Sequence, residues 1–320
     1  MADTIYALST ARGRAGIAVV RVSGPQAGAA LTALAGRLPA PRYARLAQLR
    51  DPADGSEVDH ALVLWFPGPN SETGEDMAEF HLHGGPAVIA GTLEALGRVP
   101  GLRSAQAGEF VRRSFDNGKL DLSAVEGLAD LIAAETAAQR RQALRQMAGG
   151  LAARVEAWRT RLVGAMAHLE AGIDFADEAV PVDLEAAVRA EILALQAELS
   201  GALEDGGRGE RLRSGLSVAI IGPPNAGKSS ILNALARRDG AIVSSQAGTT
   251  RDVIEVHLDL GGYPVSLADT AGLRALATEG GQEEIEAEGM RRAARRAAEA
   301  DLTLAVFDVR ESRDLDPAVL

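Results

Sequence analysis

The segment Gly222-Pro223-Pro224-Asn225-Ala226-Gly227-Lys228-Ser229-Ser230 sets glycine, lysine and hydroxyl groups at the spacing G-x-x-x-x-G-K-S. That spacing lets backbone amides wrap a polyphosphate. The glycines allow the main chain to approach phosphate oxygens, and a helix N-terminus adds its positive end. Lys228 would sit against the outer phosphates, with the Ser229 hydroxyl on magnesium. The plainer alternative is a glycine-rich turn between a strand and a helix. Composition weighs against it, because Lys119 and Lys228 are the only lysines and arginine serves everywhere else. A compact ammonium is not replaced by a planar guanidinium in a tight phosphate loop, so a surviving lysine marks a site. By the same logic Lys119 is a candidate site residue.

Two downstream segments define the kind of nucleotide site. Gly248-Thr249-Thr250-Arg251-Asp252 offers a hydroxyl, that of Thr250, to complete magnesium coordination when the γ-phosphate is present. Asp269-Thr270-Ala271-Gly272 follows an apolar run; Asp269 can reach the magnesium shell, and Gly272 can offer its amide to the γ-phosphate. Alone, a D-x-x-G carries little. Behind a strand and a phosphate loop, it points to a GTPase-type switch. Leu273 follows, where many GTPases place the glutamine that orients the attacking water. Leucine cannot do that, so water positioning and transition-state charge must come from elsewhere.

The elements that must hold these residues are legible in outline. Apolar Leu216 to Ile221 predicts a buried strand before the loop, and Ser230 to Ala236 the first turns of a helix after it. With strands over Val253–Leu260, Val265–Ala268 and Leu302–Val309 and a helix over Glu283–Ala298, residues 210–320 predict a largely parallel α/β sheet covered by helices. Residues 1–118 alternate short apolar runs (Gly16–Val22, Ala61–Phe66, Met77–Leu82, helical Ala87–Leu96) with Gly and Pro, which predicts an α+β domain. Residues 119–209 are rich in Ala, Leu, Glu and Arg at helical spacing, broken at Gly149-Gly150 and Asp174–Pro181. Glu204–Gly209 reads as the linker into the third domain. The fold class is thus multidomain, α+β and α/β with a helical domain between.

The 320 residues are 47% hydrophobic, enough for several cores, and contain no cysteine, which removes disulfides and thiolate chemistry. A cytoplasmic location with no membrane span fits. The formal net charge of -11 confines any RNA contact to local patches. Arg140-Arg141 with Arg145, and Arg291-Arg292 with Arg295-Arg296, read as solvated helix faces among carboxylates. His81 and His83 lie at i and i+2, but no third ligand at recognisable spacing supports a metal. Arg21, Glu79 and Lys119 beside apolar strands read as structural ion pairs on their own.

Taken together, PNAGKSS, GTTRD and DTAGLR, with WFPGPNSETGED (Trp65–Asp76), HGGP (His83–Pro86), GEF (Gly108–Phe110) and NGKLDLSAVEGLADLI (Asn117–Ile132), resemble the MnmE (TrmE) family of tRNA modification GTPases. The resemblance covers the whole chain. It implies that Asn225, Ala226, Gly227, Lys228, Ser229 and Ser230 contact GTP. It implies the same for Ser244, Ser245, Gln246, Ala247, Gly248, Thr249 and Thr250, and for Asp269, Thr270, Ala271 and Gly272. Mg2+ would take Ser229 and Thr250, and K+, in place of an arginine finger, would take Asn225, Ser244, Gln246 and Thr249. The catalytic residue maps to Glu286, in a segment crowded by Glu283, Glu284 and Glu288. The front domain is implied to bind 5-formyltetrahydrofolate through Arg21, Glu79 and Lys119 and to form a homodimer. Partners would be the flavoprotein MnmG (GidA) and tRNA, whose wobble uridine is modified.

Two other functions compete. A ribosome-assembly GTPase switch with an RNA or protein adaptor domain predicts no folate affinity. A folate-dependent aminomethyl transferase with a degenerate G domain predicts no potassium-stimulated hydrolysis. No N-K-x-D segment that would select guanine occurs up to Leu320, so the resemblance further implies a G domain that is incomplete in these residues.

Overall fold

The computed structural model describes residues 3–174, 184–222, 226–238, 255–269, 298 and 300–307. The chain divides into two compact units, Met1–Val125 and Glu126–Leu320.

In the first unit, β1 (Thr4–Leu8), β2 (Ala15–Ser23), β3 (Arg45–Arg50), β4 (Glu57–Phe66), β5 (Met77–Gly84) and β6 (Leu102–Ser104) form a sheet ordered β3-β4-β5-β2-β1-β6. Neighbours run antiparallel except β1 and β6, which are parallel. Alternation along each strand sorts side chains to two faces. Ala18, Val20 and Val22 of β2, with Ala78, Phe80 and Leu82 of β5, are buried, and most of them join a core with residues of α1 (Ala27–Ala35) and α2 (Pro86–Gly97). Val19, Arg21, Glu79 and His81 therefore share the opposite face. Helix α3 (Glu109–Asp116) follows β6, and α4 (Leu122–Ala133) begins where the unit ends.

The second unit continues with α5 (Ala137–Met147), α6 (Gly150–Asp174) and α7 (Leu184–Ser214). A break that the sequence pattern does not announce separates α4 from α5. Thr136 caps α5 in a full capping box: its side chain accepts from the Gln139 amide, while Gln139 Oε1 accepts from the Thr136 amide at 3.0 Å. Arg161 joins α6 to α7 by pairing with Glu191 and with Glu198 at 2.8 Å.

The linker expected over Glu204–Gly209 is instead helix, inside α7. Each glycine weakens a helix by about 1 kcal/mol relative to alanine, but propagation between two stable flanks needs no new nucleus. Side chains also anchor this stretch. Gln142 Nε2 donates to the Gly209 carbonyl at 3.2 Å, and Arg211 Nε donates to the Gly207 carbonyl at 3.1 Å. The break falls at Gly215, whose φ is 82°.

Beyond it, β7 (Leu216–Ile221), α8 (Lys228–Arg238), β8 (Glu255–Leu260), β9 (Tyr263–Asp269) and β10 (Leu302–Ala305) build a second sheet ordered β10-β7-β9-β8. β10, β7 and β9 are parallel, and β8 returns antiparallel to β9. The β8–β9 turn is Gly261-Gly262 with φ of 65° and 94°, the positive values that a tight two-residue hairpin demands. Val218, Ile220, Leu258, Val265 and Leu267 form the core of this sheet. The helix expected over Glu283–Ala298 lies, but for Ala298, outside the described residues.

Candidate functional site

The parallel strands β7, β9 and β10 end together. Register pairs Ile220 with Asp269 and Ile221 with Ala305, and the Val306 amide donates to the Ile221 carbonyl at 2.8 Å. Carboxyl ends of parallel strands are where open α/β sheets bind ligands. Here β7 leads through Gly222 to α8, whose first residue is Lys228. Gly222 has φ 146°, and a Cβ on it would stand 2.1 Å from the Val306 carbonyl oxygen, so no other residue fits this exit. Lys228 is buried, and its Nζ donates to the Gly222 carbonyl at 2.7 Å, which turns the ammonium toward the end of β7. This brings the lysine, the amino end of α8 and the strand end carrying Asp269 to one edge of the sheet, a geometry suited to a polyanion. Ala226 and Gly227 are half-buried in the approach to the helix, Ser229 lies in its first turn, and Ser230 is exposed. Asn225, the loop Ser244 to Thr250, Thr270, Ala271, Gly272, Leu273 and Glu286 lie outside the described residues.

The first unit carries a second cluster. Arg21 and Glu79 are cross-strand partners on β2 and β5. Arg21 Nε donates to Glu79 Oε1 at 3.0 Å and Nη2 approaches the same oxygen at 2.9 Å, while Nη1 meets Glu72 Oε2 at 2.6 Å. The other Glu79 oxygen lies 3.0 Å from His81 Nε2. His83 turns elsewhere, with Nδ1 2.7 Å from Asp59 Oδ1. Lys119 does not touch this pair; its Nζ donates to the Pro69 carbonyl at 2.8 Å, in the loop that also carries Glu72. The Asn117 amide side chain donates to the Thr73 carbonyl of that loop at 2.8 Å. One loop thus carries contacts to both Arg21 and Lys119.

Sequence reasoning missed the groups that brace this loop. Arg113 donates to Glu75 Oε2 at 3.0 Å, to Glu109 Oε1 at 3.2 Å, and to Asp3 Oδ1 at 3.0 Å. Ser23 Oγ donates to Glu75 Oε2 at 2.8 Å. Hydrogen bonding by Arg103, at 2.9 Å, is the largest influence on Glu109; the Gln106 amide and Arg113 assist, and the carboxyl is held down at about 2. The signal was present as Glu75 in SETGED and Glu109 in GEF, but spacing does not say that they share one arginine.

Comparison with known proteins accounts for nearly the whole chain. The family model "GTP-binding protein TrmE N-terminus" matches residues 4–119, and "MnmE helical domain" matches residues 122–315. The tRNA modification GTPase MnmE of Parvibaculum lavamentivorans is 62% identical over 303 residues, spanning 94% of this chain and 68% of that protein. MnmE of Paramagnetospirillum magneticum is 61% identical over 321 residues, 100% of this chain and 71% of its own. The mitochondrial 5-taurinomethyluridine-tRNA synthase subunit GTPB3 of Danio rerio is 56% identical over 308 residues, 96% of this chain and 61% of its own. With matches of this extent from the first strand to beyond the second sheet, the chain belongs to the MnmE (TrmE) family and is a homologue of tRNA modification GTPases.

Proposed function

We propose that this chain carries the nucleotide-binding and folate-binding parts of a GTPase that modifies the wobble uridine of tRNA, adding a carboxymethylaminomethyl-type group from a folate one-carbon unit together with MnmG. The observation that carries it is the strand, loop and helix around Gly222 and Lys228 beside the strand end at Asp269. Lys228 Nζ, now bonded to the Gly222 carbonyl among its partners, would turn to phosphate oxygens. Ser229 and Thr250 would hold magnesium, which when bound neutralises charge on the transferring phosphoryl group. Asn225, Ser244, Gln246 and Thr249 would hold potassium, and Glu286 would position the attacking water. The remaining nucleotide contacts are Ala226, Gly227, Ser230, Ser245, Ala247, Gly248, Thr270, Ala271 and Gly272.

In the front part, Arg21, Glu79 and Lys119 supply two cations and a carboxylate, the donor set suited to a folate with its anionic tail and hydrogen-bonding pterin. The half-buried Glu79 offers a fixed acceptor, and 5-formyltetrahydrofolate would supply the one-carbon unit when bound. We divide the chain into a folate-binding and dimerising part, 1–118, a helical part, and a nucleotide part. The last two are residues 119–209 and 210–320, with α7 reaching across that boundary to Ser214. GTP hydrolysis measured in KCl against NaCl tests the nucleotide half: equal rates sink the potassium role. A calorimetric titration with 5-formyltetrahydrofolate separates this function from a ribosome-assembly switch, for which no heat of binding is expected.

A further inference from the structure

Helix α5 presents a face that the nucleotide and folate sites do not use. Ala138 and Ala143 are buried, and Gln139 and Gln142 reach the carbonyls of Arg213 and Gly209 at 3.1 and 3.2 Å, so one side of α5 is committed to α7. The other side carries Arg140, Arg141, Leu144 and Arg145, all exposed. Between Glu135 and Glu156 the chain has no Asp or Glu, although it holds 44 acidic residues in all. Among the described residues none of the three makes an ion pair or side-chain hydrogen bond. Three other arginines of the helical part are paired, Arg159 with Glu156, Arg161 with Glu191 and Glu198, and Arg213 with Asp130, while Arg154 lies over the Trp158 ring and Arg189 makes no ion pair among the described residues. The helix dipole explains a cation in the last turn, which is Arg145 alone.

We propose that the outer face of α5 docks the phosphate backbone of a folded RNA. In a chain of net charge -11 a polyanion can approach only where acids are locally absent, and guanidinium forks suit phosphate oxygens. The helix has no aromatic residue on which bases would stack, so it grips backbone and leaves base reading to other groups. The inference rests on the tRNA function proposed above and names where the tRNA is held.

The test is fluorescence anisotropy of labelled, unmodified tRNA with the full chain across a series of KCl concentrations. Replacing all three arginines (R140Q/R141Q/R145Q) is expected to weaken binding at least about 10-fold near physiological salt and to lower the slope of log K against log salt by about 2 to 3, as for three lost phosphate contacts. R159Q, which removes a paired arginine, is expected to bind as the wild type does. R141Q alone, with about a third of the slope change, serves if the triple variant does not fold. A triple variant with the wild-type slope overturns the proposal, as does a wild type that binds no tRNA. So does a triple variant that keeps tRNA but loses an acidic protein partner. Salt-sensitive tRNA binding through α5 without GTP hydrolysis would instead sink the function and leave the docking face standing.

Discussion

The edge of the second sheet proposed to take nucleotide and the charged cluster of the first are built from different materials. Around Gly222 the site is main chain: a strand end, a glycine exit with φ 146° and a helix start, with one lysine laid across them. Around Glu79 it is side chains from segments far apart in sequence, Arg21, Glu72, Glu79 and His81, braced at a distance by Arg113. A main-chain site tolerates no change at its few special positions. A side-chain site spreads its dependence over many groups, each worth less.

The sharpest way to break this contrast is Lys228→Ala, expected to lower GTP hydrolysis by roughly 10³-fold through loss of a charge on the transferred phosphate. Single-turnover hydrolysis with circular dichroism as a folding control measures it. An activity within threefold of wild type would mean that the loop is only a turn. Next is Gly222→Ala, in which the new Cβ meets the Val306 carbonyl. It should cost about 3 kcal/mol in urea unfolding of the second unit and leave the first unit's transition in place. Arg113→Ala should cost about 1 to 2 kcal/mol, because half-buried Glu75 and Glu109 each lose one of several partners. The folate affinity proposed for the first unit should fall with it only modestly, since Arg21 and Glu79 keep each other.

The smallest effect is a pH dependence. Glu109 is held near 2 against an ordinary 4.5, so its contribution is present above 4.5 and is lost as pH falls toward 2. Glu109→Gln should flatten that part of the acid unfolding curve by less than about 1 kcal/mol. Equal acid curves for the variant and the wild type would show that Arg103 and Arg113 stabilise the loop without Glu109.

How much of each site could be read from sequence follows from the same difference. The phosphate loop is contiguous, so its residues, order and flanking elements are visible in one line, and β7, α8 and β9 fall where the apolar runs place them. Arg21 and Glu79 meet only because β2 pairs with β5 in one register, and no local spacing encodes that. Arg113 is further from view, since it binds Asp3 across most of the first unit. The α7 error has another cause. Glycine content was weighed as a local propensity, while Gln142 anchors the stretch from α5, far off in sequence.

The Gly261-Gly262 hairpin has a neighbour at each end of the strand that follows it. Its Gly262 carbonyl accepts the Ala138 amide at 3.2 Å, at the first turn of α5, and β9 then runs unbroken to Asp269 at the edge proposed for nucleotide. A strand has no joint along its length. The helices and the phosphate edge therefore share a single stiff spacer, and amide exchange along β9 should report on both tenants at once: protection gained when nucleotide is added ought to extend to Ala138.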